Sequence, residues 1–423
     1  MKYTTFSAEG YSGGSIIQSK QNIFYAKITV DLHEKRTLKQ AALEQIYIDA
    51  LISGAGKYSR QEFLDAIKLL GASMNISIKN SYLTITIQAQ QENLPKFLTL
   101  FEIMIREPRF DPLELRRIKK QVKNEYIEHK EDAVLLTVEH FKNALFKSTD
   151  RRYSYSPDKI ITKLQSIHSS DLRKLHKKMT GSHWTITLAA NQKACDNMLQ
   201  TVNKCKKQDE YEIIKRKHGI KPIKKQTLLH HMPSKQNIEF AIGAPVALTL
   251  NDEEYLPFVF GLDVLGKCGS FSGRLMSTVR EKEGLTYGIY ALLETVGKNE
   301  NGYYRITTFF MPEKAKQGLQ ATLKEVRKIH KEGITEDEHK HFQNILLTQQ
   351  ILLNDSLIRS ANIFHSYLCN GFTVEQMEAH KKRLLQVSKK EVNQTLEKYL
   401  QPNMLTISGA GPIKEVKDEI QSL

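Results

Sequence analysis

The feature that most constrains the fold of this chain is an internal repeat. The same order of strands and helices occurs twice within 423 residues, at an offset of about 220 residues. In the first half, alternating residues Leu83–Gln88 predict a half-buried strand, and the break at Glu107–Pro112 separates two amphipathic helices. In the second half, Tyr304–Phe309 and the break at Gly333–Glu336 take the same places. This duplication predicts an α+β protein of two homologous domains, each a mixed or antiparallel sheet covered on one face by helices.

Both halves also close with the same elements. Each half has a Ser where a helix N-cap is expected, within Ile167–Leu172 and Val387–Val392. A helix and a last strand follow in each half, and the predicted last strands are Trp184–Ala189 and Met404–Ser408. Between the halves, the charged stretch Lys204–Ser234 shows little apolar periodicity, which is typical of a linker. We therefore expect an N-terminal domain over residues 1–205, a linker over 206–234 and a C-terminal domain over 235–423.

Basic residues are in excess, and nucleic acid is the partner that such an excess first suggests. The chain has 62 Lys and Arg against 47 Asp and Glu, a net charge of +15. The basic side chains mix with Glu along whole helices, as in Glu114–Lys120, and no nucleic-acid motif is present. We expect a solvated, Lys-rich surface and no nucleic-acid partner, with acidic peptides or anionic membrane surfaces as the remaining alternatives.

Cysteine spacing and hydropathy bear on the cellular location. The four cysteines are widely spaced and form no C-x-x-C pair, so we expect reduced thiols, with a single disulfide as the alternative; they are Cys195, Cys205, Cys268 and Cys369. No apolar run approaches the roughly 20 residues that cross a bilayer, and the N-terminus lacks the apolar core of a secretory signal. The expected location is the cytoplasm, or the periplasm or exterior if a leader has been removed.

One helix in the first half has the layout of a zinc site without its ligands. Residues at i and i+4 share a helix face, so two His at that spacing, with a Glu between them, hold zinc and activate water. Here the three positions are Gln45, Ile48 and Asp49, followed by an apolar run, a Gly and a Tyr-Ser pair. This segment resembles the insulinase-like (M16, pitrilysin) metallopeptidases, whose signature is H-x-x-E-H. Because Gln45 is a poor ligand, Asp49 alone a weak one and Ile48 no base, we expect no bound metal and no hydrolysis by this chain unaided.

The resemblance also implies where a third zinc ligand would lie. In active members of the family, a Glu on a later helix completes the site. The family's spacing, counted from Asp49, falls on Glu125, 76 residues further along the chain. We expect Glu125 to be a solvated residue whose position supports the alignment rather than metal binding.

The second half keeps its part of the family's machinery. Members carry an Arg and a Tyr seven residues apart in a segment like R-L-x-x-x-x-R-E-x-x-G-L-x-Y, and Arg280 and Tyr287 match that pair. The frame of the segment matches at Arg274, Glu281, Gly284 and Leu285. The resemblance implies that the Tyr hydroxyl donates to a developing oxyanion and that the guanidinium holds peptide carbonyls. The alternative is a surface ion pair for Arg280 and a core position for Tyr287.

A lost zinc motif beside a retained Arg/Tyr pair indicates a division of labour. The resemblance implies the zinc-free subunit of a heterodimeric peptidase, in which this chain forms half of a clamshell chamber for unfolded peptides. The partner would be a homologous subunit with an intact H-x-x-E-H motif, and that partner would hold the zinc. Two alternatives stay open: a structural protein of the same fold, like the core subunits of the respiratory bc1 complex, and a maturation factor for one specific peptide.

Overall fold

The computed structural model describes residues 2–18, 21–32, 36–206, 220–266 and 273–423. Residues 207–219 of the predicted linker and Cys268 lie outside this part of the chain. The fold divides into two compact units, each assembled from three segments. Unit 1 comprises Met1–Ile127, Tyr155–Lys217 and Ile351–Met377, and unit 2 comprises Glu128–Ser154, His218–Gln350 and Glu378–Leu423.

Unit 1 is built on a six-stranded sheet. Its strands are β1 (Tyr3–Ala8), β2 (Tyr11–Ile17), β3 (Ile23–Asp31), β4 (Ser73–Lys79), β5 (Tyr82–Gln90) and β6 (Trp184–Ala190). Their order is β1-β2-β6-β3-β5-β4, and only the β2–β6 pair is parallel among these neighbours. In β5, alternate side chains from Leu83 to Ala89 are buried, as its period of two predicts.

The helices of the first half pack in unit 1, except α5, which belongs to unit 2. They are α1 (Leu38–Leu51), α2 (Arg60–Leu69), α3 (Leu94–Arg106), α4 (Pro112–His129), α5 (Ala133–Leu145), α6 (Pro157–Leu164), α7 (Ser169–Gly181) and α8 (Gln192–Cys205). Helix α3 turns an apolar face inward, burying Phe97, Phe101 and Met104. Each such side chain contributes about 1.5–3 kcal/mol by leaving water.

Unit 2 is built on a five-stranded sheet. Its strands are β7 (Gln226–His231), β8 (Ile238–Pro245), β9 (Ile289–Glu294), β10 (Tyr303–Phe310) and β11 (Thr406–Gly411), in the order β7-β11-β8-β10-β9. The helical segments of the second half of the chain are α9 (Tyr255–Gly266), a π-helix (Met276–Lys282), a 3₁₀ turn (Pro312–Lys314), α10 (Ala315–Glu332), α11 (Glu336–Asp355), α12 (Leu357–Cys369), α13 (Val374–Leu385), α14 (Lys389–Tyr399) and α15 (Lys417–Gln421). Of these, α12 packs in unit 1.

The two sheets share one topology, apart from the extra edge strand β1. In each, the last strand of the half pairs in parallel with the first, as β6 with β2 and β11 with β7. The same last strand pairs antiparallel with β3 or β8 on its other side. The predicted α+β fold, with two helix-covered sheets of matching design, is confirmed.

The two halves exchange one helix each. Helix α12, from the second half, lies on β2 and β6 of unit 1, where Ala361 and Phe364 bury Ile16 and Tyr25. Helix α5, from the first half, lies on β8 and β11 of unit 2. Neighbouring residues of a strand point to opposite faces of its sheet. The strand residues that α12 and α5 cover are not part of the main cores, so these two helices lie on the faces opposite those cores. The prediction that helices cover only one face of each sheet is therefore wrong.

Two further expectations need correction at the level of single residues. Helix α7 begins at Ser169 with His168 as its N-cap, so Ser is not the cap there, whereas Ser388 caps α14 in a capping box with Glu391. Strand β11 begins at Thr406, two residues after the predicted start at Met404. Within the described part of the chain, no helix combines the length and apolarity that crossing a membrane requires.

Candidate active-site segments

Helix α1 carries the three positions that correspond to the zinc motif. The helix starts with a capping box in which the Gln40 amide N–H donates to Thr37 Oγ1 at 3.3 Å and the Thr37 N–H donates to Gln40 Oε1 at 2.7 Å. Gln45, Ile48 and Asp49 are all half-buried, and Ile48 packs against the core of unit 1. The helix therefore forms at the predicted place, with these three side chains on it.

Asp49 and Glu125 share a hydrogen-bonding partner, Gln121, and Glu125 is exposed. The Gln121 side-chain amide on α4 donates to Asp49 Oδ2 at 3.2 Å and to Glu125 Oε1 at 3.0 Å. Burial raises the pKa of Asp49, the Glu125 charge raises it further, and Arg117 and Arg60 lower it. A neutral amide thus bridges two carboxylates that stand at positions corresponding to zinc ligands of the family.

The donors present do not fit a zinc ion. Zinc sites use His, Cys or carboxylate ligands converging in a tetrahedron, and an amide at position 45 offers no such ligand. Among the described residues, no group of three or more His, Cys, Asp or Glu side chains is placed to hold a metal.

Arg280 lies on a seven-residue π-helix, Met276–Lys282. π-helical turns are rare and are frequently found at functional sites. The turn is closed by backbone bonds from Gly284 N and Leu285 N to the carbonyls of Arg280 and Val279, both at 3.0 Å. Gly284 has φ +60°, a left-handed conformation that favours glycine. The Arg280 side chain itself is half-buried.

The frame residue Arg274 fixes the start of this segment. Its Nε donates to Glu338 Oε1 at 2.6 Å, and its Nη2 donates to Glu338 Oε2 and to the Gly333 carbonyl, both at 2.8 Å. Although burial raises the pKa of Glu338, hydrogen bonds from Arg274 and from the Thr335 backbone bring it below its usual range. This bidentate pair attaches the segment to α11.

The Tyr287 side chain is exposed, whereas buried residues on either side hold its backbone in place. Its side chain is 84% exposed, whereas Leu285 and Ile289 on either side are 5% and 0% exposed. Between them, Thr286 Oγ1 accepts a hydrogen bond from the Gly288 N–H at 3.3 Å. The alternative in which Tyr287 is a core aromatic is therefore wrong.

A cavity of about 670 Å³ lies beside the π-helix in unit 2. Arg274, Ser277, Thr278 and Lys282 line it from this segment, and α10 and α11 supply the opposite wall. Hydroxyl, guanidinium and ammonium groups line one side, and the carboxylates of Glu325, Glu332 and Glu338 lie on the other, so the cavity offers both hydrogen-bond donors and acceptors to a polar occupant.

Comparison with known proteins assigns the family. The sequence model described as "Insulinase (Peptidase family M16)" matches residues 49–157. The model described as "Peptidase M16 inactive domain" matches residues 166–346. Together the two models match well over half of the chain. The chain belongs to the M16 family.

Individual M16 relatives match over nearly the whole chain. The "Non-peptidase homolog YmxG" of Helicobacter pylori is 20% identical over 372 residues, which cover 87% of this chain and 84% of that protein. A crystal structure of a peptidase M16 inactive domain from Pseudomonas fluorescens has TM-score 0.86 at 18% identity, covering 97% of this chain and 98% of that one. A protease structure from Helicobacter pylori has TM-score 0.85 at 15% identity, covering 97% and 99%. These two solved structures share the fold of this chain.

The motifs of this M16 chain do not by themselves predict two of its contacts. Gln121 lies four residues before Glu125 on α4, so it shares the face of Glu125 and reaches Asp49. That spacing is the signal that could identify it. The partner of Arg274, Glu338, is 64 residues away in sequence, and no local pattern indicates such a pair.

Proposed function

We propose that this chain is the zinc-free subunit of a two-subunit M16 peptidase and supplies Arg280 and Tyr287 in trans. The observation that carries the proposal is the state of Tyr287, whose hydroxyl-bearing ring is 84% exposed on a backbone held by buried neighbours. A tyrosine kept for packing would be buried. A tyrosine kept for a ligand outside its own domain would be rigidly placed and accessible.

The chemistry assigned to the pair follows from its functional groups. A phenol O–H donates one hydrogen bond, which is strongest to an oxygen that gains negative charge during hydrolysis. A guanidinium presents several N–H donors in one plane and so holds peptide carbonyls in a fixed orientation. The partner's zinc would supply the activated water, and an unfolded peptide would be the substrate. This chain would contribute hydrogen-bond donors and no zinc ligands, because Gln45, Ile48 and Asp49 stand where the family's zinc motif has His, Glu and His.

A second candidate is a structural or interaction protein of the same fold. It is favoured by the Helicobacter pylori relative that is named a non-peptidase homolog. Under this proposal, the Arg/Tyr pair has no part in any reaction, and the cavity beside the π-helix serves binding alone. The two candidates differ in one measurable way, because only the first requires the Tyr287 hydroxyl.

The first prediction tests that hydroxyl. Tyr287→Phe removes one hydrogen-bond donor from an exposed ring, so folding and assembly should be unchanged. Loss of one oxyanion donor should lower kcat by about a hundredfold or more. Arg280→Ala should raise KM as well as lower kcat, because it removes peptide contacts made before the reaction. The assay is cleavage of an unstructured peptide by this chain combined with an M16 subunit that has an intact H-x-x-E-H motif.

Matched controls lie in the same unit. Tyr290→Phe removes a hydroxyl three residues away on β9, and Lys324→Ala removes an exposed cation from α10, outside the lining of the cavity. Both should keep full activity, and size-exclusion chromatography should show the same complex for all variants. Full activity of Tyr287→Phe and Arg280→Ala in an assembled complex would instead support the structural candidate.

A further inference from the structure

The cavity beside the π-helix is lined by a buried carboxylate that has no partner. Glu325 on α10 contributes to the wall of this cavity of about 670 Å³, and the residue is only 8% exposed. Among the residues that the structure describes, none forms a hydrogen bond or an ion pair with its carboxylate. A carboxylate that is buried without a partner is unfavourable, and a cationic group that pairs with it offsets this cost. The inner part of the cavity is therefore suited to an ammonium group.

A second polar group on the cavity wall also lacks a partner. The Arg274 side chain is 12% exposed, and its Nε and Nη2 donate to Glu338 and to the Gly333 carbonyl. Its Nη1 is buried and has no hydrogen-bond partner within the described part of the chain. Buried N–H groups normally donate to an acceptor, so Arg274 calls for an oxygen atom from an occupant of the cavity. An unsatisfied acceptor and an unsatisfied donor thus line the same cavity.

The outer part of the cavity carries exposed lysines. Lys282 of the π-helix and Lys328 of α10 line it there, and no described carboxylate pairs with either ammonium group. The exposed carboxylate of Glu332 offsets one of the two positive charges and leaves the other. Lys328 follows Glu325 by three residues on the same face of α10, about 4.5 Å further along the helix axis. The cavity therefore presents a negative charge inside and positive charge at its opening.

The size of the cavity and its apolar residues limit the kind of ligand. Sites of about 300–1,000 Å³ hold small molecules, and the buried side chains of Val264 and Phe342 provide apolar contacts here. Neither Arg280 nor Tyr287 is among the described residues that line it. The cavity is thus separate from the pair assigned to catalysis.

We propose that this cavity binds a small linear zwitterion, of the kind formed by short peptides and by ω-amino acids. The ammonium group pairs with Glu325, an oxygen of the ligand accepts from Arg274, and the carboxylate lies near Lys282 and Lys328. An α-amino acid does not fit this pattern, because its two charged groups are attached to one carbon atom. Binding requires neither zinc nor the Tyr287 hydroxyl, so the site is independent of the proposed reaction.

Isothermal titration calorimetry on the full chain tests the binding. The probes are trialanine and 6-aminohexanoate, and at least one should bind with a Kd of about 1 mM or tighter. N-acetylation removes the ammonium charge of each probe and amidation removes its carboxylate, so either change should weaken binding by roughly tenfold or more. Tighter binding of trialanine would identify short peptides as the ligand, and tighter binding of 6-aminohexanoate would identify ω-amino acids.

Variants of the chain assign each charge of the ligand to its side chain. Glu325→Gln keeps the shape of the side chain and removes its charge, so it should weaken zwitterion binding by roughly tenfold or more. The weak binding of the N-acetylated probe should not change in this variant. Lys282→Met combined with Lys328→Met should weaken binding of the zwitterion and leave that of the amidated probe unchanged. Glu397→Gln on α14 and Lys324→Met on α10 are matched controls, because both residues are exposed and lie outside the cavity lining.

Several results would overturn the proposal. One is the failure of both probes to bind at millimolar concentration, and another is unchanged affinity after N-acetylation or in Glu325→Gln. Because Lys282 and Lys328 are exposed, their replacement still tests the site if circular dichroism shows that Glu325→Gln has unfolded the chain. All of these measurements use this chain without a partner subunit. Their outcome is therefore distinguishable from that of the peptide-cleavage assay.

Discussion

Asp49 and Glu125 are carboxylates at positions that correspond to zinc ligands of the family, and both accept a hydrogen bond from Gln121. These two hydrogen bonds reduce the repulsion between the carboxylates. One amide N–H on each oxygen replaces only part of a divalent charge, and the pKa of Asp49 is accordingly raised by burial and by Glu125. The helices thus place these positions as a zinc site would require, but the side chains at them do not form a set of zinc ligands.

The second prediction restores the ligands. Gln45→His combined with Asp49→His places two imidazoles at i and i+4 on α1, with Glu125 still beside position 49. Ile48 is left unchanged because it packs against the core. The double variant should bind one zinc per chain, whereas the parent chain should bind none after dialysis. Metal analysis and competition with a chromogenic chelator measure both.

Adding Glu125→Ala to the double variant supplies the control. If Glu125 completes the site, its loss should weaken zinc affinity by at least tenfold. Equal affinity with and without Glu125 would show that the two histidines bind zinc outside the expected geometry. Tight zinc binding by the parent chain would contradict the assignment of positions 45, 48 and 49.

Where α12 packs against β2, there is no room for a side chain at the glycines of β2. A Cβ at Gly14 would come within 2.4 Å of the Phe364 ring, and at Gly13 within 1.8 Å of the Ile186 carbonyl. Glycine therefore allows the helix and the neighbouring strand to approach β2 closely.

The third prediction follows from that contact. Gly14→Ala should lower the free energy of unfolding by about 1–3 kcal/mol, because the methyl group and the Phe364 ring cannot occupy the same space. Gly181→Ala is the matched control, since no atom lies within 4 Å of its Cβ position at the end of α7. Urea denaturation measures both. Phe364→Leu should recover part of the loss in the Gly14→Ala background, and additive effects of the two substitutions would contradict the proposed clash.

Elements differ in how far their sequence determines them. The alternation in β5 and β10 identifies each strand and its buried side, because burial of one face requires a period of two. The sequence of α5 and of α12 does not indicate in the same way which sheet each helix covers. An amphipathic pattern shows that a helix buries a face and leaves open which sheet that face covers. The π-helix at Arg280 is likewise set by tertiary packing, since its closing bonds depend on the burial of Leu285.

In the whole molecule, the exchanged helices make the two halves depend on each other. The sequence repeat places a boundary near residues 206–234, and that boundary stays a prediction about the duplication. The compact units follow a different division, because Ile351–Met377 belongs to unit 1 and Glu128–Ser154 to unit 2. A chain cut between its sequence halves therefore yields two fragments, each of which lacks part of its own fold.

The last prediction concerns those fragments. Residues 1–206 alone lack α12, so Ile16, Tyr25 and Ala189 lose their cover, and this fragment should aggregate or bind a hydrophobic dye. Residues 220–423 alone lack α5, which packs Phe141 and Leu145 against Tyr303. Co-expression should restore one complex whose thermal unfolding resembles that of the intact chain. As a control, the intact chain with a protease site inserted within 207–219 should stay folded when it is cut after folding. A soluble, cooperatively folded fragment of residues 1–206 would show that α12 is dispensable, and the exchange of helices would then be a packing detail rather than a condition for folding.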